Sequence, residues 1–270
     1  MLLTVDVGNT NMVFTVYDGE QSIGSFRMST NANRTSDEIG LWICDYFRRF
    51  ELSIAEVEDV IIASVVPQVM YSLTSSIIKY INRTPIIVDE DVDPGLRYDV
   101  DGRLGVDRAV DCVAAIEKYG SPLIVLDFGT ATTIDAVSEN AEYLGGVILS
   151  GIRISLDALF TRAAMLPRVE LVKPGHVLGK NTVEQMQAGA VCGYIGSVEY
   201  IVREMKSEMN AENIRVVATG GLGRLIAENT DEIDVFDPQL TPDGLRLVYE
   251  KYKREHRIKP RPKQSKSSKN

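Results

Sequence analysis

Along residues 2–28 the apolar side chains fall in three short runs, Leu2 to Val7, Met12 to Tyr17 and Ser22 to Met28, parted by polar turns at Gly8-Asn9-Thr10-Asn11 and Asp18-Gly19. Short runs bounded by Gly, Asn and Asp predict strands, here a meander of three. Behind Ser36-Asp37 the period changes. Ile39, Trp42, Ile43, Tyr46, Phe47 and Phe50 recur at helical spacing, which predicts an amphipathic helix with its aromatics in the core. A buried strand at Val60 to Val66, a helix behind Pro67 using Met70, Leu73, Ile77 and Ile81, and a short strand at Pro85 to Val88 complete the first series.

After a polar stretch from Asp89 to Gly105 and a helix near Asp107 to Tyr119, the programme restarts. Strands are expected at Leu123 to Asp127, Thr132 to Val137 and Glu142 to Leu149, and helices at Ile154 to Ala164 and Val183 to Met209. A strand at Ile214 to Ala218 and a helix at Leu222 to Glu228 follow. The order βββαβα thus occurs twice. Val5-Asp6-Val7-Gly8-Asn9-Thr10 is echoed by Leu126-Asp127-Phe128-Gly129-Thr130-Ala131, 121 residues later. A period that long is a domain-scale duplication and not a solenoid repeat. The expected fold is α/β, with halves at 1–118 and 119–250 facing one another across a cleft.

Composition narrows the chemistry. No run approaches the roughly 18 apolar residues of a membrane span, and Met1 opens into Leu2-Leu3-Thr4-Val5-Asp6 without a basic leader, so neither span nor secretory segment is expected. Cys44, Cys112 and Cys192 are odd in number and far apart, which fits a reducing, cytoplasmic compartment. With only His176 and His256 as histidines, neither a structural zinc site nor a Ser/His or Cys/His nucleophilic pair has its parts. Residues 251–270 hold nine Lys/Arg and one Glu, against 20 basic and 37 acidic residues over 1–250. An acidic body repels nucleic acid, so none is expected as a partner, and the basic end reads as a flexible, solubilising tail.

Asp-x-Gly at the end of an apolar strand makes a tight turn. Its backbone N–H groups and nearby Asn9, Thr10 and Asn11, or Thr130, Thr132 and Thr133, can face an anion while the Asp holds a cation beside it. One such turn is an ordinary hairpin. Two at matching positions of duplicated halves can grip one polyphosphate from both sides. Thr219-Gly220-Gly221-Leu222-Gly223 is not a dinucleotide fingerprint, because Ile226 stands where the third glycine belongs. Gly175 to Asn181 is not a P-loop either: the gap is one residue short, and Asn181 replaces the Ser/Thr that binds magnesium.

Taken together, Asp6-Val7-Gly8-Asn9-Thr10-Asn11, Gly105-Val106-Asp107-Arg108, Asp127 to Thr133, Gly179-Lys180-Asn181-Thr182 and Thr219-Gly220-Gly221 closely resemble type III pantothenate kinases. These are members of the actin, sugar-kinase and heat-shock-chaperone ATPase superfamily, with a ribonuclease-H-like fold in each half. The resemblance runs over about residues 1–250. It departs at Ser150, where the family usually has proline before the glycine. It implies ATP bound by Asp6, Val7, Gly8, Asn9, Thr10, Asn11, Met12 and Val13, by Thr130, and by Gly220 and Gly221 on the adenosine side. Pantothenate would meet Tyr98, Gly105, Val106, Asp107, Arg108 and Thr182, with Asp107 as general base. Asp127 would hold the monovalent cation, potassium or ammonium, and Asp6 magnesium through water. The resemblance also implies a homodimer.

Several of these residues have plainer readings. Asp107 opens a helix and favours its dipole. Thr182 with Gln185 reads as a capping box before Val183. Tyr98 in a polar loop is often a packing tyrosine. Arg108 is suited to orient an anionic substrate through paired N–H donors. The rival function is a nucleotide-binding regulatory protein of the same fold without kinase turnover; an Asp at position 107 favours catalysis, since a pure binder needs no base there.

Overall fold

The computed structural model describes residues 1–98 and 104–256; the side chain of Tyr98 and residues 257–270, most of the expected tail, lie outside the description. The expected meander is strands β1 (Leu2–Val7), β2 (Asn11–Asp18) and β3 (Gln21–Ser29). Helix α1 (Ser36–Arg49) follows, its first turn closed by a reciprocal capping box between Thr35 and Glu38. Its buried stripe is Ile39, Gly40, Ile43 and Phe47. Trp42 and Phe50, expected in the core, are 48% and 58% exposed. They lie with Tyr46 on the adjacent row of the helix, where Tyr46 stacks on Phe26 of β3 at 4.0 Å and on Phe50 at 4.4 Å. Aromatics at helical spacing therefore make two rows here, and only one faces inward.

Strand β4 (Asp59–Ser64), helix α2 (Pro67–Ser76), a π-helical turn at Ile77–Ile81 and strand β5 (Ile86–Ile87) complete the first series. A short strand β6 (Arg97–Tyr98) and helix α3 (Val106–Tyr119) lead to the second. It comprises β7 (Leu123–Phe128), β8 (Ala131–Val137), β9 (Glu142–Ser150), α4 (Ile152–Arg162), α5 (Thr182–Gln187), α6 (Gly193–Met209), β10 (Arg215–Thr219), α7 (Gly223–Ala227), β11 (Val235–Phe236) and α8 (Leu240–Glu255). The single helix expected over Val183 to Met209 is α5 and α6 joined through a π-helical turn at Ala188–Cys192. Helix α8 runs through Glu255, so the expected tail loses its first five residues to a helix; Lys253 there pairs with Asp59 at 2.9 Å.

The duplication is complete at the level of the sheets. Among the described residues the strand orders are β3-β2-β1-β4-β5 and β11-β10-β7-β8-β9-β6, the same arrangement twice with β6 added at one edge. In each, the first strand pairs antiparallel with its hairpin partner and parallel with the fourth strand of its series, β4 or β10. Leu3, Val5 and Val7 share a core with α1 and α2, while Ile124, Leu126 and Phe128 share one with α6 and α7. Helices α3 and α8 fill the space between the sheets. Val106, Val110, Leu245 and Val248 pack on Leu2, Ile61 and Ala63, and Ala109, Cys112 and Leu240 on Leu123, Val125 and Val217. The two helices touch closely at Gly244, where a Cβ would collide with the carbonyl oxygen of Val110. The result is an α/β/α/β/α stack with one helix pair shared by both halves.

Candidate active site

Strand alternation explains why two aspartates 121 residues apart meet. Asp6 has the parity of Leu2, which faces the α3/α8 layer, and Asp127 has the parity of Leu123 and Val125, which face it from the other sheet. Between them α3 carries Asp107 in its first turn and Asp111 one turn later, on one helix face. The electrostatics report this convergence. The Asp6 carboxyl is pushed up to about 7, first by burial and then by the charges of Asp127 and Asp107. Asp127 is raised by burial, by Asp107 and by Asp135. Asp111, 2% exposed, is driven well above the carboxylate range by burial and by Asp127, against a hydrogen bond from Thr241. Among the described residues Arg108 pairs with Asp135, and no ion pair reaches Asp6, Asp111 or Asp127, so like charges crowd here.

Above the carboxylates stand the two glycine turns. Gly8 N–H donates to the Asn11 carbonyl at 3.0 Å and Gly129 N–H to that of Ala131 at 3.0 Å, closing the two hairpins. The residue after each third strand straps its turn in the same way: Thr30 N–H donates to the Thr10 carbonyl at 2.9 Å, and Gly151 N–H to the Thr130 carbonyl at 3.1 Å. Asn9, Thr10, Gly129 and Thr130 are exposed, whereas Val7 and Met12 are fully buried, so these last two can offer a ligand only backbone. Asn11 and Val13 are half-buried on β2. From β10, Gly220 arrives with φ +90° against Asp127 and the Phe128 N–H, where a Cβ would collide with both. Gly221 beside it is exposed. Thus the third glycine site abuts the second aspartate turn.

At the start of α3, the Asp107 carboxylate accepts the Arg108 backbone N–H at 2.9 Å, and Gly105 is the N-cap. Asp107 does sit in the first turn, so its helix-dipole role and its place in the cluster coexist. Arg108 turns its Nε and Nη2 toward Asp135, with Nη2 to Oδ1 at 2.5 Å, and gives Nη2 also to the Tyr143 hydroxyl at 2.9 Å. The paired donors expected for a substrate are therefore committed to the protein, leaving Nη1 without a partner among the described residues. Tyr98 enters by its backbone in β6, opposite Tyr143 of β9.

Thr182 is exposed at the first position of α5 and makes no hydrogen bond to the cluster among the described residues. The capping box expected from Thr182 and Gln185 is not the one formed. Asn181 is the cap, accepting the Glu184 N–H at 3.0 Å, and Gln185 donates to the Gly179 carbonyl. Asn181 has the extended backbone of an N-cap, and its Oδ1 reaches the helix end one residue earlier, leaving Thr182 inside the first turn. Ser150, where the family usually has proline, ends β9; its carbonyl accepts from the Tyr194 hydroxyl at 3.2 Å.

The reading from sequence missed Asp111, Asp135, Tyr143 and Tyr194. The Tyr194 hydroxyl shares a 2.6 Å hydrogen bond with the buried Thr132 hydroxyl and so props the second turn. Asp111 left a signal, four residues beyond Asp107, and so did Asp135, a charge at an inward strand position.

The donor set suits hard cations. Asp6 and Asp127 supply oxygen without a cationic partner among the described residues, and Asp111 Oδ1 is buried with no hydrogen-bond partner. No group of three or more His, Cys, Asp or Glu among the described residues is arranged to hold a metal ion alone. Among the described residues no helix is long and apolar enough to cross a membrane.

Comparison with known proteins gives the same direction. A solved structure described as a conserved putative Baf family transcriptional activator from Campylobacter jejuni is similar in fold, with TM-score 0.60, 20% identity, and 93% of this chain and 99% of that one covered. A putative 2-dehydro-3-deoxygalactonokinase from Sinorhizobium meliloti gives TM-score 0.60 at 12% identity, with 96% and 97% covered. These likenesses establish the actin-like ATPase and sugar-kinase fold. A type III pantothenate kinase from Agathobacter rectalis is 47% identical over 256 residues, 94% of this chain and 98% of that protein. The type III pantothenate kinase family profile matches residues 2–204, and with that relative it shows that this chain belongs to the type III pantothenate kinase family.

Proposed function

We propose that this cleft transfers the γ-phosphoryl group of ATP to the alcohol of pantothenate, the first step toward coenzyme A, with Asp107 as the general base. The observation that carries the reading is the convergence of Asp6, Asp127 and Asp107 beneath two glycine turns from duplicated halves. Phosphoryl transfer asks a protein chiefly to align the nucleophile and neutralise charge, and a carboxylate then accepts the alcohol proton. The turn from Asp6 to Val13 and Thr130 hold the phosphates through backbone N–H and hydroxyl groups, and Gly220 and Gly221 form the adenosine-side turn. Gly105, Val106 and Arg108, with Tyr98 and Thr182, line the pantothenate side. Asp6 would hold magnesium, and Asp127 the potassium or ammonium ion. Magnesium bound there supplies charge neutralisation across the phosphate oxygens.

The same reading takes residues 1–118 and 119–250 as two halves of one nucleotide cleft, in the cytoplasm, where the free cysteines Cys44, Cys112 and Cys192 persist. It also takes the chain as a homodimer. Support comes from Gly189, Gly193 and Gly196, whose missing side chains face open space, beside exposed Val183 and Tyr200. Light scattering at micromolar concentration should give about twice the 29.9 kDa chain mass. The activity is tested by coupled ADP release with ATP, magnesium, potassium and a panel of alcohols. Release that depends on pantothenate bears the reading out. Nucleotide binding without turnover on any alcohol favours a regulatory protein of the same fold.

A further inference from the structure

We infer that Asp135 is a positioning residue for this reaction: through Arg108 it locks the first turn of α3, and with it Asp107, against the second sheet. The inference rests on the reading of Asp107 as the base.

Asp135 lies on the middle of β8 and is 1% exposed. A carboxylate in that place is costly unless fully paired. It is paired from three directions. Arg108 Nε reaches both oxygens at 3.1 and 3.2 Å, Arg108 Nη2 reaches Oδ1 at 2.5 Å, and the Tyr143 hydroxyl donates to Oδ1 at 3.0 Å. An arginine fork on a carboxylate has one geometry, unlike the swivelling contact of a lysine.

Room for the fork is built into the sheet. Gly146 sits opposite Asp135 in the β8–β9 pair. A Cβ there would stand 2.6 Å from Asp135 Oδ1 and 2.8 Å from Arg108 Nη2. The second glycine of the Gly145-Gly146 pair is therefore the space through which Arg108 passes.

The first turn of α3 depends on this tie. Its N-cap is Gly105, which offers no side-chain cap. Its remaining packing, Val106 on the first sheet and Ala109 on the second, is apolar and allows sliding. Arg108 is the polar connection from that turn to the second sheet among the described residues, and its backbone N–H is bonded to the Asp107 carboxylate at 2.9 Å. A shift of Arg108 is thus a shift of Asp107 relative to the phosphate turns, and misplacement by about 1 Å can cost on the order of 10²-fold in rate.

The test is steady-state kinetics on Asp135→Asn and Tyr143→Phe in the full chain, with Asp107→Asn beside them and folding followed by circular dichroism. The expected result for Asp135→Asn is a kcat lowered by about 10-fold or more with KM for ATP held within about two-fold, because Asp135 lies five residues beyond Thr130 in β8 and its partners Arg108 and Tyr143 are on neither phosphate turn. Tyr143→Phe keeps the ion pair, removes one donor and one acceptor, and should show the same split at a few-fold; it decides the matter if Asp135→Asn does not fold. Unchanged kcat in a folded variant overturns the inference, as does a loss shared equally by kcat and KM for ATP, the mark of general loosening. If Asp107→Asn is inactive while both others match the parent, positioning by Asp135 alone is wrong. If Asp107→Asn retains turnover, the base reading falls first and this one with it.

Discussion

The hydroxyl oxygens of Thr10 and Thr130 lie 2.8 Å apart, so the two glycine turns, one from each half, are hydrogen-bonded to each other across the cleft. Each threonine follows its aspartate by three or four residues, and each turn is strapped from the end of its own third strand. The contact spans the place where a polyphosphate would be gripped from both sides.

Replacing Thr10 by Val keeps the shape and removes that contact. A hydrogen bond of this kind is worth about 0.5–1.5 kcal/mol net, so KM for ATP should rise by about 2–10-fold. Thr130→Val should do the same, and the double variant should lose less than the two single losses together, because one interaction is removed twice. Initial-rate kinetics on the four proteins check this; fully additive losses would mean the two hydroxyls act separately.

Asp107→Asn removes a proton acceptor with little change of shape. Turnover should fall by about 10²-fold or more while nucleotide affinity and the melting temperature stay close to the parent. Isothermal titration with ATP and a coupled kinase assay separate the two effects, and turnover within a few-fold of the parent would refute the base.

Activity should require magnesium and rise several-fold when sodium is exchanged for potassium or ammonium at constant ionic strength. The reason is the Asp127 carboxylate, which has no cationic partner among the described residues and whose proximity to Asp107 and Asp135 a bound cation would relieve. Indifference to the monovalent ion would remove Asp127 from that role.

The crowded carboxylates also set a pH dependence. Asp6 is pushed up to about 7 in the fold from the ordinary aspartate value of 3.8, so the folded chain binds the proton more tightly. Its penalty on stability is absent below about pH 4, grows as pH rises, and is complete above about pH 7. Asp6→Asn should therefore be more stable than the parent at pH 8 without divalent cations, by at most on the order of 4 kcal/mol, with the gap closing toward pH 5. Urea titrations of both proteins at the two pH values, without nucleotide, measure it. A parent that is the more stable at pH 8 would contradict the crowding.

Much of the site was legible because strands and glycine turns write themselves locally. Asp6-x-Gly8 and Asp127-x-Gly129 each end an apolar run, their repetition signals duplication, and the period-two parity of each strand already says which neighbours Asp6 and Asp127 share a face with. The amphipathic face of α1 was readable too, though not which of its two aromatic rows would be covered, since that depends on what β3 presents to it. The capping of α5 was missed because Asn181 and Thr182 are both good caps and only the path of the chain before them selects one.

What the sequence determined by itself is most of the strands and helices, though not β6, β11 or α8, together with the duplicated order and the chemistry of the turns, all set by periodicity and by short-range turn preferences. Tertiary structure alone decided that α3 and α8 share the layer between the sheets, because buried apolar residues name no partner and both faces of that layer are apolar. It alone decided that Asp111 joins Asp6, Asp107 and Asp127, and that Arg108 turns toward Asp135. The Arg108–Asp135 pair crosses 27 residues, and Asp111 and Asp6 lie on elements far apart in the chain; a charged side chain in a linear sequence does not say which other charge will be brought within its reach.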